Sequence, residues 1–141
     1  MKTITASANG TKKWYLVDAS NKIAGRLSSE IASILKGKKN PIFTPNLDTG
    51  DYIVIINASK IKFSGNKINN KVYYRHTGYP GGIKKTNLKD AMNNKPSWVL
   101  QRIIAGMMPR GILGRDMLKK LFIYDDATHK QQAQQPVLLE I

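Results

Sequence analysis

Asp51-Tyr52-Ile53-Val54-Ile55-Ile56 is the stretch that decides the fold. One acid opens an unbroken apolar run rich in β-branched side chains, and the loop residues Pro45-Asn46 and Thr49-Gly50 precede it. This is not the alternation of a half-solvated strand. It reads as a central strand of a parallel sheet, covered on both faces. Upstream, Trp14-Tyr15-Leu16-Val17 is a second short apolar run ending at Asp18, and it predicts a first strand buried on both faces. Between the two runs, Ala19-Ser20-Asn21-Lys22 supplies turn and cap chemistry. Ile23, Leu27, Ile31, Ile34 and Leu35 then fall on one stripe of an amphipathic helix that stops at Lys36-Gly37. Strand, helix and buried strand in that order predict a right-handed βαβ unit in an α/β layer architecture.

Downstream, Ile61-Lys62-Phe63 alternates briefly, Ser64-Gly65-Asn66-Lys67 is a turn, and residues 71–76 alternate enough for another strand. Thr77-Gly78-Tyr79-Pro80-Gly81-Gly82 carries too much glycine and proline for regular structure. A short helix is expected over 87–93. A second begins at Pro96, with Val99 or Leu100, Ile103, Ile104 and Met107 inward, and Pro109 ends it. A further helix over 112–120 and a last strand over 121–124 complete the expected elements. The chain is thus read as a single domain: a basic arm over 1–13, an α/β core over 14–124 and an extended tail over 125–141.

Composition narrows the function. The 141 residues hold 23 Lys and Arg against nine acids, a net charge of +14, and no cysteine. The absence of cysteine removes disulfides, thiolate metal sites and cysteine nucleophiles, and it suits a reducing cytosol. No apolar run approaches the roughly 20 residues that span a bilayer, and the N-terminal pattern is not that of a signal peptide, so a cytoplasmic protein without membrane attachment is expected. The charge is uneven: residues 60–120 hold fourteen bases and two acids, whereas 121–141 hold one base and three acids. A fold that tolerates such self-repulsion has a polyanionic partner, and no basic helix here shows the clean apolar face that a membrane surface requires.

Catalytic and metal chemistry find little support. His76 and His129 stand far apart with no cysteine to join them, and nothing has metal-ligand spacing. Ser28-Ser29 lies within the helical stripe and not on a sharp elbow, and 18–25 contains no phosphate-binding glycine loop. No catalytic residue, cofactor or metal is therefore assigned. RNA chemistry is better supported. In Lys71-Val72-Tyr73-Tyr74-Arg75-His76-Thr77-Gly78-Tyr79-Pro80-Gly81-Gly82-Ile83-Lys84-Lys85, bases alternate with aromatic rings and glycines. Tyr79 and His76 can stack on unpaired bases or riboses, and Arg75 can fork onto phosphate. Lys71, Lys84 and Lys85 supply point charges, and Gly81 and Gly82 let backbone approach RNA. One of Tyr73 and Tyr74 is expected to face the core. Lys67, Lys38 and Lys39 are further candidates, as are Arg110 and Arg115 in a glycine-flanked turn. The 18 lysines against five arginines suit diffuse phosphate contact better than base-edge readout.

The residues also resemble a family, that of the universally distributed large-subunit ribosomal protein thirteen in its bacterial form. Val17-Asp18-Ala19 with Ala24-Gly25-Arg26-Leu27, Gly50-Asp51 and Asn57-Ala58 carry part of the resemblance. The most specific part is Tyr73-Tyr74-Arg75-His76-Thr77-Gly78-Tyr79-Pro80-Gly81-Gly82, followed by Gly106-Met107-Met108-Pro109, Leu113-Gly114-Arg115 and Ala133-Gln134-Gln135-Pro136. The resemblance implies a three-layer α/β/α domain with a mostly parallel sheet of about four strands. It also implies a structural role in the large subunit: binding of large-subunit (23S-type) ribosomal RNA early in assembly, with neighbouring large-subunit proteins as further partners. It points by position to Arg75, His76, Tyr79, Lys84, Arg110 and Arg115. One departure is Gln131, where relatives often carry a second histidine. Two other readings share parts of the pattern: a regulatory protein acting on messenger RNA, and an α/β nucleotide-using enzyme.

Overall fold

The computed structural model of the chain describes residues 10–141, so most of the expected basic arm lies outside the described residues. Strand β1 (Trp14–Asp18) leads through helix α1 (Ala24–Lys36) into β2 (Tyr52–Ile56), and β1 and β2 pair in parallel with Trp14 beside Tyr52. Later in the chain β5 (Leu121–Ile123) joins the free edge of β2, again in parallel. The segment from Asp125 runs through a short 3-10 turn (Gln132–Gln134) and returns as β6 (Val137–Leu138), parallel to β1. The resulting sheet has the order β5-β2-β1-β6, which is the α/β arrangement with a parallel four-stranded sheet that the sequence led us to expect.

Alternation along the strands assigns their two faces. Val17, Ile53 and Ile55 are fully buried against Leu27, Ile31 and Leu35 of α1, Leu100 and Ile104 of α4 (Pro96–Met107) and Met117 of α5 (Ile112–Leu118). On the opposite face Trp14 stacks on Tyr52, with ring centroids 4.3 Å apart and planes 6° from parallel, and on Phe122 at 5.7 Å. These aromatics are only partly covered. The first strand is therefore fully buried only at Val17, not along both faces as its composition suggested.

The helix ends show why sequence caps were hard to read. The N-terminus of α1 has no side-chain cap; its first amide, on Ala24, donates to the carbonyl of Lys62 at 2.8 Å, within a parallel bridge between Ile23 and Lys62. Asp18 instead organises the preceding turn, accepting from the Ser20 amide at 2.9 Å and hydroxyl at 2.7 Å and from Asn57 Nδ2 at 3.0 Å. The amide hydrogen bond is the largest influence on its carboxyl, which lies below the ordinary value. At α4, Pro96 sits in the first turn as predicted, and the Ser97 amide donates to Asp125 Oδ1 at 2.8 Å. At its other end α1 closes on Gly37 in the left-handed conformation. There the buried Lys120 ammonium donates to the carbonyls of Leu35 at 3.2 Å and Gly50 at 2.8 Å and pairs with Asp48. Lys12 reaches the second oxygen of Asp48 at 3.0 Å.

Candidate nucleic-acid interface

A two-stranded antiparallel ribbon stands apart from the main sheet. Helix α2 (Lys67–Asn70) leads into β3 (Val72–His76), the Thr77–Gly82 loop turns the chain, and β4 (Ile83–Asn87) returns to α3 (Leu88–Asn94). At its root the Leu88 amide donates to the Lys71 carbonyl at 2.9 Å, and Leu88 is buried with Ala91 and Val99. Tyr73 is the inward tyrosine. Its ring meets Trp98 edge-on at 5.4 Å, and burial raises its phenol, with the Arg102 charge pulling the other way. Tyr74 points outward with 61% of its surface exposed, so the expected division of labour between the two tyrosines is met.

Register then sorts the ribbon by face. Arg75 lies directly opposite Lys84, while Tyr74 lies opposite Lys85 and His76 opposite Ile83. Arg75 and Lys84 share one side, and Tyr74, His76, Ile83 and Lys85 share the other. Lys85 Nζ stands 5.8 Å from the centre of the Tyr74 ring, and Lys71 Nζ stands 5.8 Å from that of Tyr73. Two like charges facing each other across a ladder are unfavourable. Among the described residues no carboxylate relieves them, and none pairs with Lys67, Lys71, Lys85, Arg110 or Arg115. No Asp or Glu occurs anywhere from residue 52 to residue 89.

The tip is built by close backbone approach. The Thr77 amide donates to the Gly82 carbonyl at 3.0 Å, and the Gly82 amide donates to that of Tyr79 at 2.9 Å. A side chain on Gly82 would strike the Thr77 hydroxyl and the Tyr79 carbonyl, while Gly78 and Gly81 take positive φ of 90° and 70°. This lifts Tyr79 to 76% exposure. The His76 ring is held by the Gly78 amide donating to Nδ1 at 2.9 Å, which leaves Nε2 as its outward donor.

The other sequence candidates divide. Lys67 and Lys71 stand at the ribbon's root. Arg110 and Arg115 flank the start of α5, both exposed, with Arg115 Nε donating to the Gly111 carbonyl at 3.3 Å. Lys38 and Lys39 are elsewhere. They follow the C-terminal end of α1, whose N-terminal end lies by the root of the ribbon, and a 13-residue helix separates such points by roughly 20 Å. Lys39 also pairs with Glu30 at 2.9 Å. Sequence reasoning passed over Arg26, which is exposed beside Gly25 and lines a hollow together with Lys67. A single arginine on the polar side of an amphipathic helix resembles any solvated face, and only the packing of Phe63 and Lys67 beside it reveals the neighbourhood. Among the described residues no group of three or more His, Asp or Glu side chains is placed to hold a metal ion, and no helix is long and apolar enough to cross a membrane.

Comparison with known proteins gives a consistent result. Residues 12–130 match the family model described as Ribosomal protein L13. The chain is 52% identical over the full length of both chains to a protein named large ribosomal subunit protein uL13 from Baumannia cicadellinicola. It is 53% identical to the protein of the same name from Exiguobacterium sibiricum, covering 92% of this chain and 90% of that one. A third, from Pseudoalteromonas atlantica, is 50% identical over the whole of both chains.

Proposed function

The chain belongs to the ribosomal protein L13 family, and from that premise we propose that it is a structural constituent of the large ribosomal subunit. It binds large-subunit (23S-type) ribosomal RNA, enters early in assembly, and adjoins other large-subunit proteins in the cytoplasmic ribosome. The observation that carries this reading is the Arg75–Lys84 pair: two cations held side by side on an exposed ribbon, with no acid to relieve them. Such an arrangement becomes favourable when a phosphate lies between them. On the ribbon's other face Tyr74 and His76, and at its tip Tyr79, offer exposed rings for unpaired bases, and Lys71, Lys85, Arg110 and Arg115 extend the positive surface. The role is one of neutralising and fitting closely packed RNA strands, and it requires no cofactor and no catalysis. Messenger RNA as a target draws no support from relatives that are all named for the ribosome.

The test is sedimentation of a lysate through a sucrose gradient, with and without a high-salt wash, following this protein. Co-migration with the large subunit through a moderate salt wash is expected. Recovery solely from the soluble fraction would overturn the reading.

A further inference from the structure

A cleft of about 320 Å3 opens at the foot of the ribbon, walled by Phe63, Tyr73 and Met107, floored by Gly25 of α1 and rimmed by Lys67 and Lys71. A second hollow of about 220 Å3 adjoins it at Gly25, Phe63 and Lys67 and extends to Arg26. No acidic side chain lines either space. An apolar slot with aromatic walls and a purely cationic rim is complementary to a flat heterocycle that carries a negative charge.

Gly25 sharpens the assignment. Gly25 is the second residue of α1, in its first turn, where glycine is still a weaker helix former than alanine, so its surroundings bear on the reason for it. For Gly114 in α5 the reason is internal, because a Cβ there would strike the Pro109 carbonyl. For Gly25 the described residues supply no such contact: beyond its own helix and chain neighbours, no described atom lies within 4 Å of where its Cβ would stand. Gly106, next to the cleft residue Met107, is open in the same way. Among the described residues, nothing fills the space above Gly25.

We infer that this cleft receives one unstacked nucleotide of the bound RNA. Its base lies over Gly25 against Phe63 and Tyr73, and its phosphate lies at the Lys67, Lys71 and Arg26 rim. At about 320 Å3 the cleft is near the lower limit of roughly 300 Å3 for small-ligand sites, so it suits a single heterocycle better than a peptide segment. A base in a continuous duplex cannot enter it. The RNA element at the ribbon's root is therefore a bulge, loop or junction that presents one extruded base, while the ribbon itself tracks phosphates. The inference rests on the RNA-binding reading above and adds the kind of RNA element that the site selects.

The experiment uses the full chain with Gly25→Leu, binding to in-vitro-transcribed large-subunit ribosomal RNA, and short-wave ultraviolet crosslinking read by mass spectrometry of nucleotide-bearing peptides. The leucine has room to fill the cleft without disturbing the fold, so thermal unfolding should occur no lower than in the wild type. Gly25→Ala, whose Cβ leaves most of the cleft open, serves as the control. Gly25→Leu should lose about tenfold or more in affinity while Gly25→Ala stays near wild type. Wild-type complexes should yield adducts on Phe63 or Tyr73 that Gly25→Leu complexes lack. Gly25→Leu that is folded and binds within about twofold of wild type would overturn the nucleotide cleft and leave ribosomal RNA binding by the ribbon intact. A wild-type chain that fails to bind the RNA at all would overturn both readings.

Discussion

Lys120 takes a full charge into the interior, at 4% exposure, and is the only charged side chain among the described residues to be buried so completely. Burial lowers its ammonium below the ordinary 10.5, and the hydrogen bond and charge of Asp48 restore only part of the difference. On Asp48 burial raises the carboxyl, but the hydrogen bonds and charges of Lys120 and Lys12 outweigh it and leave the group below the ordinary 3.8. The signs have separate consequences. A carboxyl lowered by folding contributes stability that is complete above its unfolded value and is lost as pH falls through the folded one. The chain should therefore weaken as pH drops below about 3.8. A lysine lowered by folding destabilises while charged, and that penalty fades as pH rises toward 10.5. In urea unfolding at a series of pH values, Asp48→Asn should flatten the acid limb; a limb identical to wild type would refute the assignment. At neutral pH, Lys120→Met removes the donor from two buried carbonyls and the carboxylate and should lower stability by about 2–4 kcal/mol. A loss under about 0.5 kcal/mol would show that the clip contributes nothing. Gln131 shows the limit of reading single residues: its departure from the family pattern suggests a lost contact, yet its Oε1 accepts the Tyr124 hydroxyl at 2.7 Å.

The β3–β4 ribbon is the element on which the proposed RNA binding rests, and its own stability is poor. All five residues of β4 are exposed, and a lone two-stranded ribbon is marginal in water. Arg75 and Lys84 make it poorer still. Replacing both by alanine should leave the domain folded and relieve a cross-strand repulsion of about 0.2–1 kcal/mol. RNA affinity should nevertheless fall, and the slope of log affinity against log salt should shrink by roughly two if each residue meets a phosphate. Wild-type affinity and slope in a folded double variant would remove the pair from the interface. The ribbon also shows what sequence patterning can and cannot deliver. Tyr73 and Tyr74 mark β3 because one of them faces inward. Ile83-Lys84-Lys85-Thr86-Asn87 carries no alternation, since hydrophobic periodicity records burial and β4 has none. The polar helix α2 went unread for the same reason.

Across the whole molecule, net charge and its clustering single out residues 60–120 but not how those residues group in space. The acids serve the body of the fold: Asp18 in a turn, Asp48 on Lys120, Asp51 on the Lys13 amide at 2.9 Å, and Asp125 at the head of α4. None belongs to the ribbon, so the net charge of +14 is felt most where RNA is proposed to lie. The α/β order was legible because buried strands and an amphipathic helix write their periods directly into sequence. The separation of Lys38 and Lys39 from the ribbon was not, because it depends on which end of α1 each cluster meets. The sheet order also has a consequence in time. β1 is synthesised before β2 and β5, yet Tyr15 takes its edge partner from Val137, which follows them both. During translation that edge stays open until the helices and strands between β1 and β6 have emerged, so it is paired late, by contacts of long sequence separation that form slowly. A nascent chain halted before β6 would present an unguarded strand beside a half-covered aromatic face, which is the form most prone to pair with its own kind.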